Sequence, residues 1–138
     1  MLTYTYLIKP TSDQVDAITA MYRSEGWWTQ ETDDPELVAQ IIVGSHCFLL
    51  VMQDGDSVGM GRAISDGASD AYIQDVTVKK EHRGQGIGTH IIRKLVERLN
   101  ADGLDWIGLI AENNSYQFYE SLGFSKMPNS VPMLNLKK

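Results

Sequence analysis

Asp75-Val76-Thr77-Val78-Lys79-Lys80-Glu81-His82-Arg83-Gly84-Gln85-Gly86-Ile87-Gly88-Thr89-His90 contains the boundary on which the fold turns. Upstream of it, Ala71 to Lys79 reads as a strand. Downstream, residues 86–100 place Ile87, Ile91, Leu95 and Leu99, with Ile92 and Val96, on one broad apolar face. Arg93, Lys94, Glu97 and Arg98 mostly occupy the other face, the pattern of an amphipathic helix closed by Asp102-Gly103. The junction is therefore a strand-to-helix turn with glycines alternating at 84, 86 and 88 behind Arg83. A helix N-terminus carries unpaired backbone N–H groups and a partial positive charge. Glycines remove the Cβ atoms that would hold an anion's oxygens away from those donors, and Arg83 adds a cationic fork at the rim. The segment Arg83, Gly84, Gln85, Gly86, Ile87, Gly88 and Thr89 thus reads as a phosphate or diphosphate site. A turn that only leads into a helix needs one or two glycines.

Spacing counts against the two commoner nucleotide loops. A dinucleotide fingerprint needs G-x-G-x-x-G, and its third position falls on Thr89. A P-loop needs a lysine after its last glycine, and Gly88-Thr89-His90 lacks one.

The rest of the chain extends this unit. Trp106 to Ala111 is a continuous apolar strand, so strand 71–79, helix 86–100 and strand 105–111 should form a parallel, right-handed crossover. A helix over Ser115 to Leu122 follows, ended by Gly123, and short strands are expected from Phe124 onward and at Met133 to Leu136. On the N-terminal side, Cys47 to Met52, Val58 to Ile64 and Ala71 to Lys79 read as an antiparallel meander with turns at Asp54-Gly55-Asp56 and Asp66-Gly67. A strand over Leu2 to Lys9 precedes two helices. The first follows Thr11-Ser12-Asp13 and stops near Glu25-Gly26; the second starts at Asp33-Asp34-Pro35-Glu36 and ends at Gly44. The class is α/β: a mixed, largely antiparallel sheet of six to seven strands with flanking helices, in one domain over residues 1–138.

Composition limits the function classes. The 138 residues carry a net charge of -6, unlike a whole-surface nucleic-acid binder. No apolar run reaches the roughly 20 residues of a membrane span, and Met1 to Pro10 lacks the core of a signal peptide. A cytoplasmic location is the default expectation. The single cysteine, Cys47, lies in an apolar run and reads as a core thiol. His46, His82 and His90 lack metal-ligand spacing, so no metal is expected, although His82 beside Arg83 favours phosphates when protonated.

With those residues in place, Arg83-x-x-Gly86-x-Gly88 resembles the acetyl-coenzyme A signature, Q/R-x-x-G-x-G/A, of the GCN5-related N-acetyltransferase (GNAT) superfamily. Asp75 to Val78 and Lys79 to His82 are similar to the same family. So is Tyr116-Gln117-Phe118-Tyr119-Glu120-Ser121-Leu122-Gly123-Phe124, which resembles its "FYEKLGF" motif. The resemblance covers about Val58 to Phe124; the first 45 residues match only in element order. It implies a V-shaped splay between the fourth and fifth strands that holds acetyl-CoA as co-substrate. The pantetheine would pair with backbone near Val76 and Val78, and an asparagine near Asn114 would bond to it. Asn114 as a helix N-cap is the alternative.

The resemblance also implies roles in catalysis. Tyr119 would give a proton to the departing thiolate after direct attack by an amine, or else it is a core aromatic beside Phe118 and Phe124. Asp75 and Glu112 are candidate bases; either could instead cap a turn or pair with Arg62. Tyr22, Trp27 and Trp28 fall where an acceptor pocket is expected, suited to an arylalkyl or other hydrophobic amine. Arg62 with Asp66 would orient a polar acceptor group, or form an ordinary hairpin ion pair. The implied partners are a small-molecule amine, amino acid or peptide, neither nucleic acid nor membrane, and a second copy in a homodimer. A non-catalytic acyl-CoA sensor on the same fold and a nucleotide-dependent protein with an atypical loop are the other classes weighed.

Overall fold

The computed structural model describes residues 1–137. The chain starts with β1 (Leu2–Tyr6), then α1 (Ser12–Ser24) and α2 (Pro35–Gly44). Both helix starts have local causes. The Thr11 hydroxyl accepts from the Gln14 N–H at 3.2 Å while Gln14 accepts from the Thr11 N–H at 2.9 Å, a reciprocal cap. Asp34 accepts from the Leu37 N–H at 3.1 Å, and Pro35 occupies the first helical turn, where its missing N–H costs nothing. Strands β2 (Cys47–Gln53), β3 (Asp56–Ser65) and β4 (Asp70–Val78) follow. After a 3-10 turn at Lys80–His82 come α3 (Ile87–Ala101), β5 (Trp106–Gly108) and α4 (Tyr116–Glu120).

The sheet order is β1-β2-β3-β4-β5; the first three pairings are antiparallel and β4–β5 is parallel. β2 lies in the interior with both faces covered. Cys47, Leu49 and Val51 join the core under α3, and Phe48 and Leu50 join the core under α1 and α2. Burial on both faces explains why its sequence is a continuous apolar run rather than an alternation.

Two irregularities open the sheet. In the β3–β4 ladder Arg62 pairs with Gln74 and Met60 with Thr77, so Asp75 and Val76 together oppose the single residue Gly61. This is a bulge, and Asp75 takes a left-handed conformation with φ 57. Gly61 permits the close approach: a Cβ there would lie 2.7 Å from Ile91 Cγ2 and 3.2 Å from Val76 Cγ2. Among the described residues, β4 has no strand partner on its outer side beyond the bulge. Its pairing with β5 covers only Asp70 to Tyr72 against Trp106 to Gly108. The strands part there, which is the expected splay between the fourth and fifth strands.

One expectation fails. The described residues form five strands, not six to seven. Neither Phe124 onward nor Met133–Leu136 joins a ladder, and no backbone hydrogen bond from another segment reaches residues 125–137. An apolar pattern shows what the side chains need; a strand also needs a neighbour for its backbone, and here none is in place. β5 is likewise shorter than the apolar run 106–111, because its ladder ends where β4 bends away.

Candidate active site

A cavity of about 580 Å³ occupies the opening between β4 and β5. One wall is β4 from Tyr72 to Val76, and the opposite wall is the chain after β5, including Leu109, Ile110, Glu112 and Asn113. Tyr119 closes one side and Glu25 and Trp27 another. Acidic and aromatic groups thus surround a cleft whose β4 wall is an unpaired strand edge.

Tyr119 belongs to α4. Its ring sits edge-on to Phe118 and Phe124, with centroids 5.0 and 5.9 Å away, and its carbonyl accepts from the Phe124 N–H at 3.1 Å. This packing fixes the ring while leaving it on the cavity wall. Burial raises the pKa of its hydroxyl, so the group stays protonated at neutral pH and is available as a donor.

Asp75 is held from behind. The Tyr22 hydroxyl donates to its Oδ2 at 2.7 Å, and Arg62 Nε donates to the same oxygen at 2.6 Å. Tyr22 is buried at the base of α1, where burial first and the Asp75 charge second push its pKa up. Tyr22 and Arg62 therefore fix Asp75 and the bulge; neither is on the cavity wall. Asp66 is not the partner of Arg62. It accepts from the N–H groups of Ser69 and Ala68 within its own turn, which lowers its pKa to about 2. Glu112 lies at the rim, exposed, and makes no ion pair among the described residues.

The glycine turn leads into α3 as its sequence suggests. Gly84 and Gly86 have φ values of 83 and 79, a conformation that L side chains rarely adopt, and a Cβ on either would meet open space. Gly86 is the N-cap of α3 and offers no side-chain acceptor to the first turn, so the N–H groups of Ile87, Gly88 and Thr89 face no capping side chain. The Ile87 side chain is buried under the sheet, Gln85 is exposed and Thr89 is half-buried. Gly88 faces the tip of Phe118, 3.6 Å from where its Cβ would stand, which brings the loop close to α4. Val76 and Val78 lie on β4 beyond its pairing with β5.

Arg83 points back across β4 in this structure. Its Nε donates to the Val78 carbonyl at 2.9 Å and its Nη2 to Glu25 Oε1 at 3.1 Å. Thr77 Oγ1 donates to the same Glu25 oxygen. Glu25 was not singled out by any sequence pattern. It caps the end of α1 and meets partners 52 and 58 positions away, so only the tertiary arrangement shows its place between loop and cavity.

The two tryptophans separate. Trp27 is 43% exposed on the cavity wall with its ring 6.0 Å from that of Tyr22. Trp28 packs against the core under α1 and α2, and its Nε1 donates to the Thr32 carbonyl at 3.3 Å. Asn113 and Asn114 take left-handed conformations, φ 54 and 61, and turn the chain from β5 towards α4. Asn113 reaches the cavity; Ser115, not Asn114, is the N-cap of α4.

This geometry has relatives. The family model described as "Acetyltransferase (GNAT) family" matches residues 13–124. The chain is 39% identical over 79 residues to GCN5-related N-acetyltransferase 2, chloroplastic, of Arabidopsis thaliana, an alignment covering 57% of this chain and 31% of that protein. The first curated relatives are longer proteins, of which the chain spans between 30% and 52%. Among solved structures, a GNAT family protein from Streptococcus pneumoniae TIGR4 superposes with a TM-score of 0.81 at 22% identity, covering 100% of this chain and 99% of its own. A predicted acetyltransferase from Clostridium acetobutylicum, solved with acetyl-CoA, superposes with a TM-score of 0.73 at 12% identity, covering 97% and 96%. At these identities the two superpositions show a common fold.

Proposed function

The chain belongs to the acetyltransferase (GNAT) family, and on that footing we propose that it is an acetyl-CoA-dependent N-acetyltransferase acting on the primary amine of a small molecule, amino acid or peptide. The observation that carries this reading is the placement of a protonated tyrosine, Tyr119, in the same cleft as an unpaired strand edge, with the bare N-terminus of α3 beside α4. Acetyl-CoA supplies a thioester carbonyl to be attacked. The open N–H groups of Ile87, Gly88 and Thr89 and the Gly84–Gly86 turn fit its diphosphate, with Arg83 free to swing from Glu25 to the anion. The outer edge of β4 offers backbone groups to the pantetheine amides at Val76, and at the Val78 carbonyl once Arg83 releases it.

The acceptor must arrive as a neutral amine. Glu112, unpaired and exposed at the rim, is the better placed of the two carboxylates to take the ammonium proton, since Asp75 commits one oxygen to Tyr22 and Arg62. The nitrogen then forms the C–N bond, the C–S bond breaks, and Tyr119 passes its proton to sulfur. The remaining proton lost by nitrogen returns the tyrosine to its neutral form. Trp27 and Tyr72 offer apolar surface to the body of the acceptor. A net charge of -6 speaks against a nucleic-acid acceptor. Among the described residues no helix is long and apolar enough to cross a membrane; a cytoplasmic location remains part of the proposal, to be checked by fractionation.

Thermal shift with acetyl-CoA against ATP and NAD tests the donor, because a ligand that binds only the folded state raises Tm. Release of free thiol across a panel of primary amines tests the reaction. Stabilisation by acetyl-CoA with thiol release is expected. No stabilisation by acetyl-CoA would overturn the donor assignment, and binding without turnover over the whole panel would favour the acyl-CoA sensor.

A further inference from the structure

Glu25 stands at the unfavourable end of its helix. It is the C-cap of α1, where the helix dipole is negative and a carboxylate is disfavoured. Arg23, the basic residue of the last turn, does not offset it, because its Nε donates to Asp33 at 2.8 Å. The backbone here is fixed. The Glu25 N–H donates to the Met21 carbonyl at 3.2 Å, Gly26 turns the chain with φ 76, and the Trp27 N–H donates to the Tyr22 carbonyl at 3.0 Å. The carboxylate is held instead by groups from β4 and the glycine turn. Thr77 Oγ1 and Arg83 Nη2 both donate to Oε1. Among the described residues nothing donates to Oε2, and the side chain is 26% exposed on the cavity wall.

The same ion pair ties up the donor side. Arg83 is the cation of the glycine turn, yet its Nε rests on the Val78 carbonyl and its Nη2 on Glu25. Both contacts must be given up before the guanidinium meets a diphosphate. Thr77 is not part of the turn, so it keeps the carboxylate on the cavity wall when Arg83 leaves. What changes is charge. Of the three cavity carboxylates, Asp75 is paired with Arg62, Glu25 with Arg83, and Glu112 with no cation among the described residues. Transfer of Arg83 to a diphosphate leaves Glu25 as a second unpaired acid on the cleft. A primary amine such as that of lysine, with a pKa of about 10.4, enters at neutral pH as a cation.

Resting on the donor assignment above, we propose that Glu25 receives the ammonium group of the acceptor and that acetyl-CoA makes it available by drawing Arg83 away. Linkage makes the effect reciprocal: an ammonium on Glu25 releases Arg83 to the diphosphate. Glu25 acts in binding, while Glu112 takes the proton. The pair therefore selects charged amines over uncharged molecules of the same shape. The amide product carries no charge at the acetylated nitrogen, so it no longer competes with Arg83 for Glu25, and the pair can re-form as product leaves.

Calorimetry with coenzyme A, which carries the same diphosphate and gives no turnover, tests the switch. Glu25→Gln keeps the length of the side chain and can still accept from Thr77, so its far-UV circular dichroism should match that of the native chain. It should bind coenzyme A about two- to fivefold more tightly, the range that a partly exposed ion pair supports. Arg83→Gln should bind more weakly, and adding Glu25→Gln to it should change nothing further, since the gain requires the arginine. Saturating phenethylamine at pH 7 should tighten coenzyme A binding to the native chain by a similar factor. Its uncharged counterpart 2-phenylethanol should not, and neither should act on Glu25→Gln. A native chain that fails to bind coenzyme A overturns the donor assignment and this proposal together. Where the native chain does bind, three results overturn the proposal alone. They are a Glu25→Gln chain that binds no more tightly, a gain that persists in full without Arg83 (simple repulsion between Glu25 and the anion), and a native affinity that phenethylamine leaves unchanged.

Discussion

Tyr119 illustrates how packing suits one side chain to the role proposed for it. Two aromatic edges hold the ring, burial raises the hydroxyl pKa, and the residue remains on the cavity wall. Tyr119→Phe keeps the ring and removes the proton. General acid catalysis contributes about 10²- to 10⁴-fold, so kcat with a saturating acceptor should fall within that range while acetyl-CoA affinity by calorimetry stays unchanged. A variant with native kcat would return Tyr119 to the role of a core aromatic. The motif around Tyr119 made this residue legible from sequence. Glu25 was not legible, because its position depends on where the end of α1 meets β4 and the Arg83 loop. The commitment of Asp75 to Tyr22 and Arg62 was hidden for the same reason: the hydroxyl comes from 53 positions away.

Among the elements, β4 and α3 position the site, and glycines act on each. Gly61 faces the bulge with Ile91 Cγ2 and Leu95 Cδ1 2.7 and 3.1 Å from where its Cβ would stand. Gly61→Ala should destabilise the chain by about 1–3 kcal/mol, the cost of overpacking a filled core, measured by urea denaturation. Closing or shifting the bulge should also weaken acetyl-CoA binding. Gly86 acts differently. A Cβ there meets open space, but φ 79 strains any L side chain. Gly86→Ala should cost about 1 kcal/mol of stability and raise the KM for acetyl-CoA, since the methyl group would also stand among the open N–H donors. The starts of α1, α2 and α3 were readable, because caps, prolines and glycines act over three or four residues. The end of β5 was not, because it depends on β4 bending away at a bulge with no signature in the β5 sequence.

Across the whole molecule, buried acids share one direction of shift. Burial raises Cys47 from 9.0 to about 11 and Tyr6 from 10.0 to about 12, and it raises Tyr22 as well. A folded state that holds these protons more tightly than the unfolded chain contributes stability that is full below the unfolded values. That stability is lost as pH rises through the folded ones. Tm should therefore be flat to about pH 9 and fall progressively towards pH 11 and 12. Cys47→Ala should remove the earliest part of that fall, moving its onset to about pH 10, where the phenols begin. A Tm that instead rises above pH 9 would contradict the buried placement of these groups.

The chain's local pattern was enough to specify the strand–glycine turn–helix unit, the antiparallel meander before it and the tyrosine motif after it. Each depends on side-chain periodicity, capping and φ preference over a few neighbouring residues. Tertiary structure alone decided the number of strands, the identity of the cavity walls and the partners of Asp75 and Arg83. Those depend on backbone pairing and burial between residues tens of positions apart. The apolar tail at residues 133–136 marks the boundary most clearly: its pattern calls for a strand, but a strand needs an edge to pair with, and no pattern within the tail says which edge it will find.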